Sequence, residues 1–240
     1  MRMRRVALSA GLAGVALLTS ACTGITAAHP TAPTTEAPMT PATPAPLDAT
    51  GALLDAAARG DAAAVRAALD AGADIEARGE GGMTALVAAT KANHVEAATA
   101  LIAAGADVNA KDDIQDSAYL YAGARGHDEI LRLTLDNGAD LTSTNRFGGT
   151  ALIPASERGL LDTVRILLDA GVDPDHVNNL GWTALHEAIV LGDGSARYVA
   201  VVRALLDGGA DPGIRDGDGV LPVDLATARG YRAIADELRR

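Results

Sequence analysis

The sequence predicts an all-α protein in which about six helix–turn–helix units stack side by side over residues 50–240. Two observations support this prediction. A Gly-Ala-Asp or Gly-Val-Asp triplet recurs at spacings of 33, 33, 33 and 38 residues, beginning at Gly72, Gly105, Gly138, Gly171 and Gly209. The chain also has only one Phe, one Trp and four Tyr, whereas a single large core would bury many more rings. Thin layers of small-residue helices satisfy both observations.

The first 21 residues have the order of a secretory signal peptide. Three arginines at positions 2, 4 and 5 precede 13 residues without a charge, from Val6 to Leu18, and small residues follow. The stretch 17–22 also resembles the lipobox of bacterial lipoproteins, a family in which cleavage occurs just before a cysteine that carries diacylglycerol. Thr19 departs from that pattern, in which Leu is commonest at this position. We expect lipid on Cys22, and leave open plain cleaved secretion and an uncleaved anchor.

Residues 22–49 are expected to form a disordered linker that starts with the lipidated cysteine. Pro, Thr and Ala dominate this tract, with prolines at positions 30, 33, 38, 41, 44 and 46. Proline cannot occupy a helix interior, and a tract of this composition buries too little apolar surface to fold. The linker would therefore act as a spacer between a membrane and the following domain.

Each unit of the predicted stack carries signals for two helices. A hydroxyl residue can cap the first helix by accepting a hydrogen bond from a free N–H group of its first turn. The expected caps are Thr84, Ser117, Thr150 and Thr183. The first helix should end at a residue that tolerates a left-handed turn, namely Gly60, Asn93, Gly126, Gly159, Gly192 and Gly230. The second helix should end at the glycine of the recurring triplet.

These signals divide the domain into about six units. Their predicted bounds are 50–81, 82–114, 115–147, 148–180, 181–218 and 219–240. The terminal units are atypical, as expected for the ends of a stack. The fifth unit carries five extra residues between Gly192 and Val202. We expect a longer loop away from the turn tips, with a second helix extended from a cap at Ser195 as the alternative.

Two short blocks accompany the helix pairs, Gly-x-Thr-Ala-Leu-His at 181–186 and Leu-Leu-Asp-Gly-Gly-Ala-Asp at 205–211. Together with the 33-residue period, they resemble the ankyrin repeat, and the likeness covers about residues 50–240. Full repeats of that family carry Pro after the cap residue, whereas this chain keeps it only at Pro222. The resemblance implies a solenoid whose inner helices and turn tips line a concave surface that binds a protein.

The resemblance also implies which residues contact a partner. They lie just before the cap position and just before the residue that ends the first helix. Carried onto this chain, they are Glu80, Met83, Lys91, Asp113, Ile114, Asp116, Arg125, Arg146, Phe147, Glu157, Arg158, Asn179, Leu180, Trp182, Val190 and Leu191. The only Phe and the only Trp are among them, and Trp and Arg are frequent in binding hot spots. The alternative is that the Trp182 ring lies across a neighbouring tip and stiffens the stack.

Residues that could carry chemistry have structural explanations. The resemblance places His94 and His127 at a turn position, and places His186 in a buried hydrogen bond beside Thr183. His176 stands near two aspartates, but one histidine and flexible acids do not define a metal site. A single cysteine excludes an intrachain disulfide and a multi-thiolate zinc site. We therefore predict no enzymatic activity, no metal and no cofactor.

The formal net charge of −11 argues against a nucleic-acid partner and against electrostatic adhesion to an anionic membrane. The sequence predicts a monomeric, exported module that is lipid-anchored to the bacterial cell membrane or envelope, faces outward from the cytoplasm, and binds an unknown protein ligand. A secreted effector that binds a host protein is the first alternative, and lipid on Cys22 would separate the two. A small-molecule receptor or an enzyme with an unrecognised site is the second. A closed pocket with convergent titratable groups would favour it.

Overall fold

The computed structural model describes residues 48–240, which contain twelve α-helices and no β-strand. The signal peptide, Cys22 and nearly all of the predicted linker lie outside the described residues. The helices form six consecutive pairs: α1 Ala49–Arg59 and α2 Ala62–Asp70; α3 Ala85–Lys91 and α4 Val95–Ala103; α5 Ala118–Arg125 and α6 Asp128–Asp136; α7 Leu152–Glu157 and α8 Leu161–Asp169; α9 Ala184–Val190 and α10 Ala196–Asp207; α11 Pro222–Ala228 and α12 Arg232–Glu237. In this part of the chain no helix has both the length and the apolar character needed to cross a bilayer.

The helix pairs stack in a row. Each first helix packs against the first helix of the next pair, from α1 with α3 to α9 with α11. The second helices form an adjacent row, from α2 with α4 to α10 with α12. Buried Ala, Leu, Val and Ile side chains form one core along the stack, so each unit covers the apolar face of its neighbours. The predicted all-α solenoid is confirmed.

The first helix starts slightly earlier than the sequence predicted. It begins at Ala49, so the linker expected to reach residue 49 overlaps it. The side chain of Asp48 accepts a hydrogen bond from the N–H of Gly51 at 2.6 Å. This acidic residue supplies the cap that the second, third and fifth units take from Thr or Ser, and it moves the start of the folded region ahead of Thr50.

Of the predicted caps, Thr84 and Ser117 accept hydrogen bonds from the N–H groups of Val87 and Leu120, at 3.3 Å and 3.2 Å. Thr183 also caps its helix, with its own N–H donating to Nδ1 of His186 at 3.1 Å.

The prediction for Thr150 was wrong. Helix α7 begins at Leu152, Ala151 takes the cap position, and the buried Thr150 hydroxyl has no partner. The cause is Pro154, which has no N–H to donate to the Thr150 carbonyl. In helices α3 and α9, the N–H groups of Ala88 and Glu187 donate to the carbonyls of the cap residues Thr84 and Thr183. The Thr150 carbonyl accepts instead from Ile153, one residue earlier, at 3.3 Å.

The fifth unit departs from the others between its two helices. Gly192 was predicted to adopt a left-handed turn, but the residue with positive φ is Gly194, at 72°. A Cβ on Gly192 would collide with the Ala188 carbonyl and the Tyr198 ring, so close packing is what requires glycine there. Helix α10 has twelve residues, whereas α8 has nine. Most of the insertion therefore extends the helix from Ser195, and the expectation of a longer loop was wrong in that respect.

Candidate functional site

Four of the five turn tips, which are the turns between one helix pair and the next, are each held by one Asp or Asn, a role that the sequence prediction missed. The side-chain Oδ1 of this residue accepts hydrogen bonds from the N–H groups two and four positions later, at 2.8 to 3.1 Å. The four residues are Asp112, Asn145, Asn178 and Asp216. A detectable signal exists, since each lies five residues before the cap position of its unit. The ring of bonds turns the intervening side chains outward.

Three successive tips expose a large apolar side chain at the same position. Ile114, Phe147 and Leu180 stand 33 residues apart and have exposed fractions of 49%, 57% and 59%. Leu191, just after helix α9, is exposed at 52%. Single exposed apolar residues are ordinary on protein surfaces, but equivalent positions on adjacent units place them side by side.

Two of these tips border a groove over helices α7 and α9, which we call the apolar groove. It is lined mainly by Phe147, Ile153, Pro154, Leu180 and Leu191. Pro154 and Ile153 are buried in the floor, whereas the other three side chains are exposed at the rim. The predicted contact residues Phe147, Leu180 and Leu191 are therefore brought together on one surface.

Glu187 lies at the floor of the apolar groove and was not predicted as a site residue. It is only 5% exposed, and its Oε1 accepts a hydrogen bond from Nδ2 of Asn178 at 2.8 Å. Its Oε2 is buried without a partner. Burial, followed by the charge of Glu157, raises the pKa of Glu187 to about 7. Glu187 is therefore a buried carboxyl whose ionisation is disfavoured by its surroundings in the groove.

Next to the apolar groove, three basic residues form what we call the arginine cluster. Its members are Arg125, Arg146 and Arg158, which line a depression with Tyr121, Phe147 and Pro154. The guanidinium of Arg146 lies 4.6 Å from the centre of the Phe147 ring, and that of Arg125 lies 5.4 Å from the Tyr121 ring. Arg158 pairs with the predicted contact residue Glu157 at 3.4 Å.

Lys91, another predicted contact residue, is engaged inside the protein. Its Nζ lies 2.5 Å from Oδ2 of the buried Asp112 and 3.4 Å from Oδ2 of Asp116. Burial tends to lower the pKa of Lys91, but the hydrogen bonds and charges of both aspartates raise it above its ordinary value. Lys91 and Asp116 thus join helix α3 to the next tip, in addition to any contact with a partner.

The remaining predicted residues are spread over the tips. Trp182 is half-buried and lies outside the lining of the apolar groove. The N–H groups of Asp113 and Asn179 donate to the carbonyls of Gly81 and Phe147, each at 3.0 Å, which ties neighbouring tips together. Met83 and Val190 are half-buried, and Glu80 is exposed.

The histidines of the repeats make structural contacts between or within units. Ring nitrogens of His94 and His127 lie 3.2 Å and 3.0 Å from carbonyls of the preceding unit. Nε2 of His176 lies 2.7 Å from the carbonyl of Gly148. Among residues 48–240, no group of three or more His, Cys, Asp or Glu side chains is arranged to hold a metal ion.

A second concavity lies on the row of second helices, between α8 and α10. Its charged lining contains two basic residues, Arg165 and Arg203, and two acidic residues, Asp169 and Asp207. None of the large exposed apolar side chains lines it. The face with exposed large apolar residues is therefore the one formed by the tips and first helices.

The repeated helix pairs of this chain are shared with known proteins. The family profile described as "Ankyrin repeats (3 copies)" matches residues 39–112 and 119–238. A crystal structure of an ankyrin repeat domain from Acinetobacter baumannii AYE is 57% identical, with a TM-score of 0.76, over 78% of this chain and 95% of that one. The crystal structure of EF0377, an ankyrin repeat protein, is 42% identical, with a TM-score of 0.77, over 80% of this chain and 98% of that one.

Two further proteins are similar over shorter or more divergent stretches. The ankyrin repeat domain of Bcl-3, a member of the IkappaB protein family, is 27% identical, with a TM-score of 0.71, over 78% of this chain and 81% of that domain. The putative ankyrin repeat protein YahD of Escherichia coli K12 is 46% identical over 52 residues. That match spans 22% of this chain and only 26% of YahD.

Proposed function

This chain belongs to the ankyrin-repeat family, and we propose that it binds a protein partner through the apolar groove while a lipid on Cys22 tethers it to the outer face of a bacterial membrane. Ankyrin repeats indicate a protein–protein interaction module. In our proposal the partner contacts the tips that carry Phe147 and Leu180, together with helices α7 and α9 beneath the groove.

The observation that supports this assignment is the set of exposed side chains around the groove. Phe147, Leu180 and Leu191 are each more than half exposed, although all three are large and apolar. Their burial against a partner would remove apolar surface from water, which contributes roughly 1.5–3 kcal/mol for each fully buried side chain. The groove floor is already formed by packed helices, so little ordering of this chain is required for binding.

We propose that Glu187, the buried carboxyl in the apolar groove, has a role in binding and not in catalysis. Glu187 has the raised pKa that catalytic acids often show. Its immediate surroundings are Asn178, Glu157 and apolar side chains, and no Ser, Cys or His stands beside it in the groove lining. Ankyrin repeats typically serve as non-enzymatic scaffolds, which agrees with this interpretation.

A pull-down from envelope extracts of the source cells tests the proposal. The full chain and a Phe147→Ala, Leu180→Ala double variant would be used as baits, and captured proteins compared by mass spectrometry. We expect the double variant to lose the specific partner and to keep its melting temperature, because both side chains are exposed. Val177→Ala is the matched control, since Val177 is 46% exposed and lies outside the groove lining. Equal capture by all three baits would contradict the proposal.

A further inference from the structure

Two arginines beside the apolar groove have no acidic partner in the described part of the chain. Arg125 and Arg146 form no ion pair with any acid of residues 48–240. The chain has 31 acidic residues and only 20 basic ones, so acids are abundant. Local geometry, and not composition, leaves these two cations unpaired.

Aromatic rings hold both guanidinium groups near the surface. Arg146 lies over Phe147 and Arg125 lies over Tyr121, within the distance at which a cation is attracted to a ring face. Stacking on a ring limits the freedom of a long side chain, so less entropy is lost when its N–H groups bind a ligand. Both residues are exposed and line the same depression.

Both acids in that depression already contact a cation of this chain. Asp116 lies 3.4 Å from Nζ of Lys91, and Glu157 lies 3.4 Å from the guanidinium of Arg158. The lining contains three arginines and two acids, and Lys91 is shared between Asp116 and the buried Asp112. Four cations therefore stand against three acids when Lys91 and Asp112 are counted with the lining. A net positive site remains within a chain whose formal charge is −11.

We propose that Arg125 and Arg146 bind a carboxylate side chain of the partner, next to an apolar residue that packs on Phe147 and Leu180. The partner segment thus carries Asp or Glu beside a large apolar residue. This inference rests on the proposed function, because it assigns the chemistry of the partner to the same groove.

The physical chemistry favours a carboxylate over an extended polyanion. Guanidinium groups match the planar, bidentate geometry of a carboxylate, and charge-assisted hydrogen bonds are about twice as strong as neutral ones. The surrounding acidic chain repels a nucleic acid, whose many phosphates would all approach a negative surface. A single acid at the groove meets only the local positive site.

Phage selection on the immobilised full chain provides the test. The probe is a displayed library of random short peptides, and selected peptides would be synthesised and their affinities measured by calorimetry. We expect enrichment of Asp or Glu adjacent to Leu, Phe, Ile or Met. An Arg125→Gln, Arg146→Gln double variant should bind the selected peptides roughly tenfold or more weakly, because the charge-assisted hydrogen bonds to the carboxylate are lost. Raised salt should also weaken binding to the wild type.

A control protein variant and a changed peptide show whether the arginines bind the carboxylate. An Arg66→Gln, Arg132→Gln double variant removes the same charge from exposed positions on helices α2 and α6, and it should bind like the wild type. Replacing the acid of a selected peptide by its amide should have the same effect as the arginine changes. If the Phe147→Ala, Leu180→Ala variant loses the peptides but the arginine variant does not, the carboxylate inference is wrong and the proposed function stands. If neither variant matters, or if no peptide is selected, both are wrong.

Discussion

At the scale of single residues, the turn tips show how one side chain orders a whole loop. Oδ1 of Asn145 accepts hydrogen bonds from the N–H groups of Phe147 and Gly149, and these bonds fix the backbone that carries the Phe147 side chain. Asn178 does the same for Leu180 and also donates to Glu187. The tip side chains exposed at the groove are therefore supported by polar bonds beneath them.

Glu187 gives a prediction about the pH dependence of stability. Its pKa is about 7 in the folded protein and 4.5 for an unperturbed group, so the folded state binds more protons between those values. Stability from this group is complete below pH 4.5 and falls as the pH rises to about 7. Glu187→Gln keeps an oxygen to accept from Asn178 and cannot ionise. We expect the variant to gain stability relative to the wild type across that window, by up to about 3 kcal/mol.

The measurement is denaturant unfolding of both proteins at a series of pH values. Contributions from other titrating groups are common to both proteins and cancel in the difference. Glu129→Gln, on the exposed side of helix α6, is the control for loss of a carboxylate. A stability difference between wild type and Glu187→Gln that stays constant with pH would show that Glu187 does not titrate in this window.

At the scale of elements, two helices depart from the repeat for identifiable reasons. Helix α7 starts late because Pro154 removes one backbone donor from its first turn. Helix α10 is longer because the insertion continues the helix toward its N-terminus. Gly194 closes the preceding turn with φ at 72°, and the ring of Tyr231 from the sixth unit packs against it.

The contact at Gly194 predicts how the fifth and sixth units are joined. Gly194→Ala requires a left-handed Ala and places Cβ against the Tyr231 ring, so we expect a loss of stability of about 2 kcal/mol or more. Gly209→Ala is the control, because its φ is 96° and no atom lies near the added Cβ. It should cost only the backbone strain, about 1 kcal/mol.

Amide hydrogen exchange can locate the effect of Gly194→Ala. Faster exchange should be concentrated in helices α11 and α12, because each unit of a stack is stabilised mainly by its neighbours. Equal destabilisation by Gly194→Ala and Gly209→Ala would mean that the Tyr231 contact adds nothing.

At the scale of the whole molecule, the stack gains its stability from contacts between adjacent units. Helices α1 and α11 are linked through the intermediate helix pairs, each of which packs against the next. Such an array can present a long binding face without a deep core, which agrees with the scarcity of aromatic residues.

The proposed tether predicts a change of location on mutation of one residue. Cys22→Ser removes the only thiol and therefore the site of the lipid, so we expect the protein to leave the membrane fraction. Metabolic labelling with a fatty-acid analogue and the mass of the mature N-terminal peptide provide the measurement. Ser20→Ala, which keeps the cysteine, is the control. An unmodified Cys22 in the wild type would instead favour the secreted alternative.

The sequence by itself determined the number of units and most helix ends. N-caps and left-handed glycines act within a few residues, so Thr84 and Gly105 could be interpreted without knowledge of their neighbours. The same local logic failed at Thr150 and Gly192. There a proline within the helix and a ring from the next helix decided the conformation.

Only the tertiary structure decided which predicted contacts form one surface. Trp182 and Leu180 occupy the same turn tip, yet Leu180 lines the apolar groove and Trp182 does not. The repeat spacing could not identify Glu187 as a perturbed group. Its burial and raised pKa depend on side chains of two units, such as Glu157 and Leu191, which converge only when the units stack. Local periodicity specifies each helix pair, whereas exposure and electrostatic environment are set by residues about one repeat away in sequence.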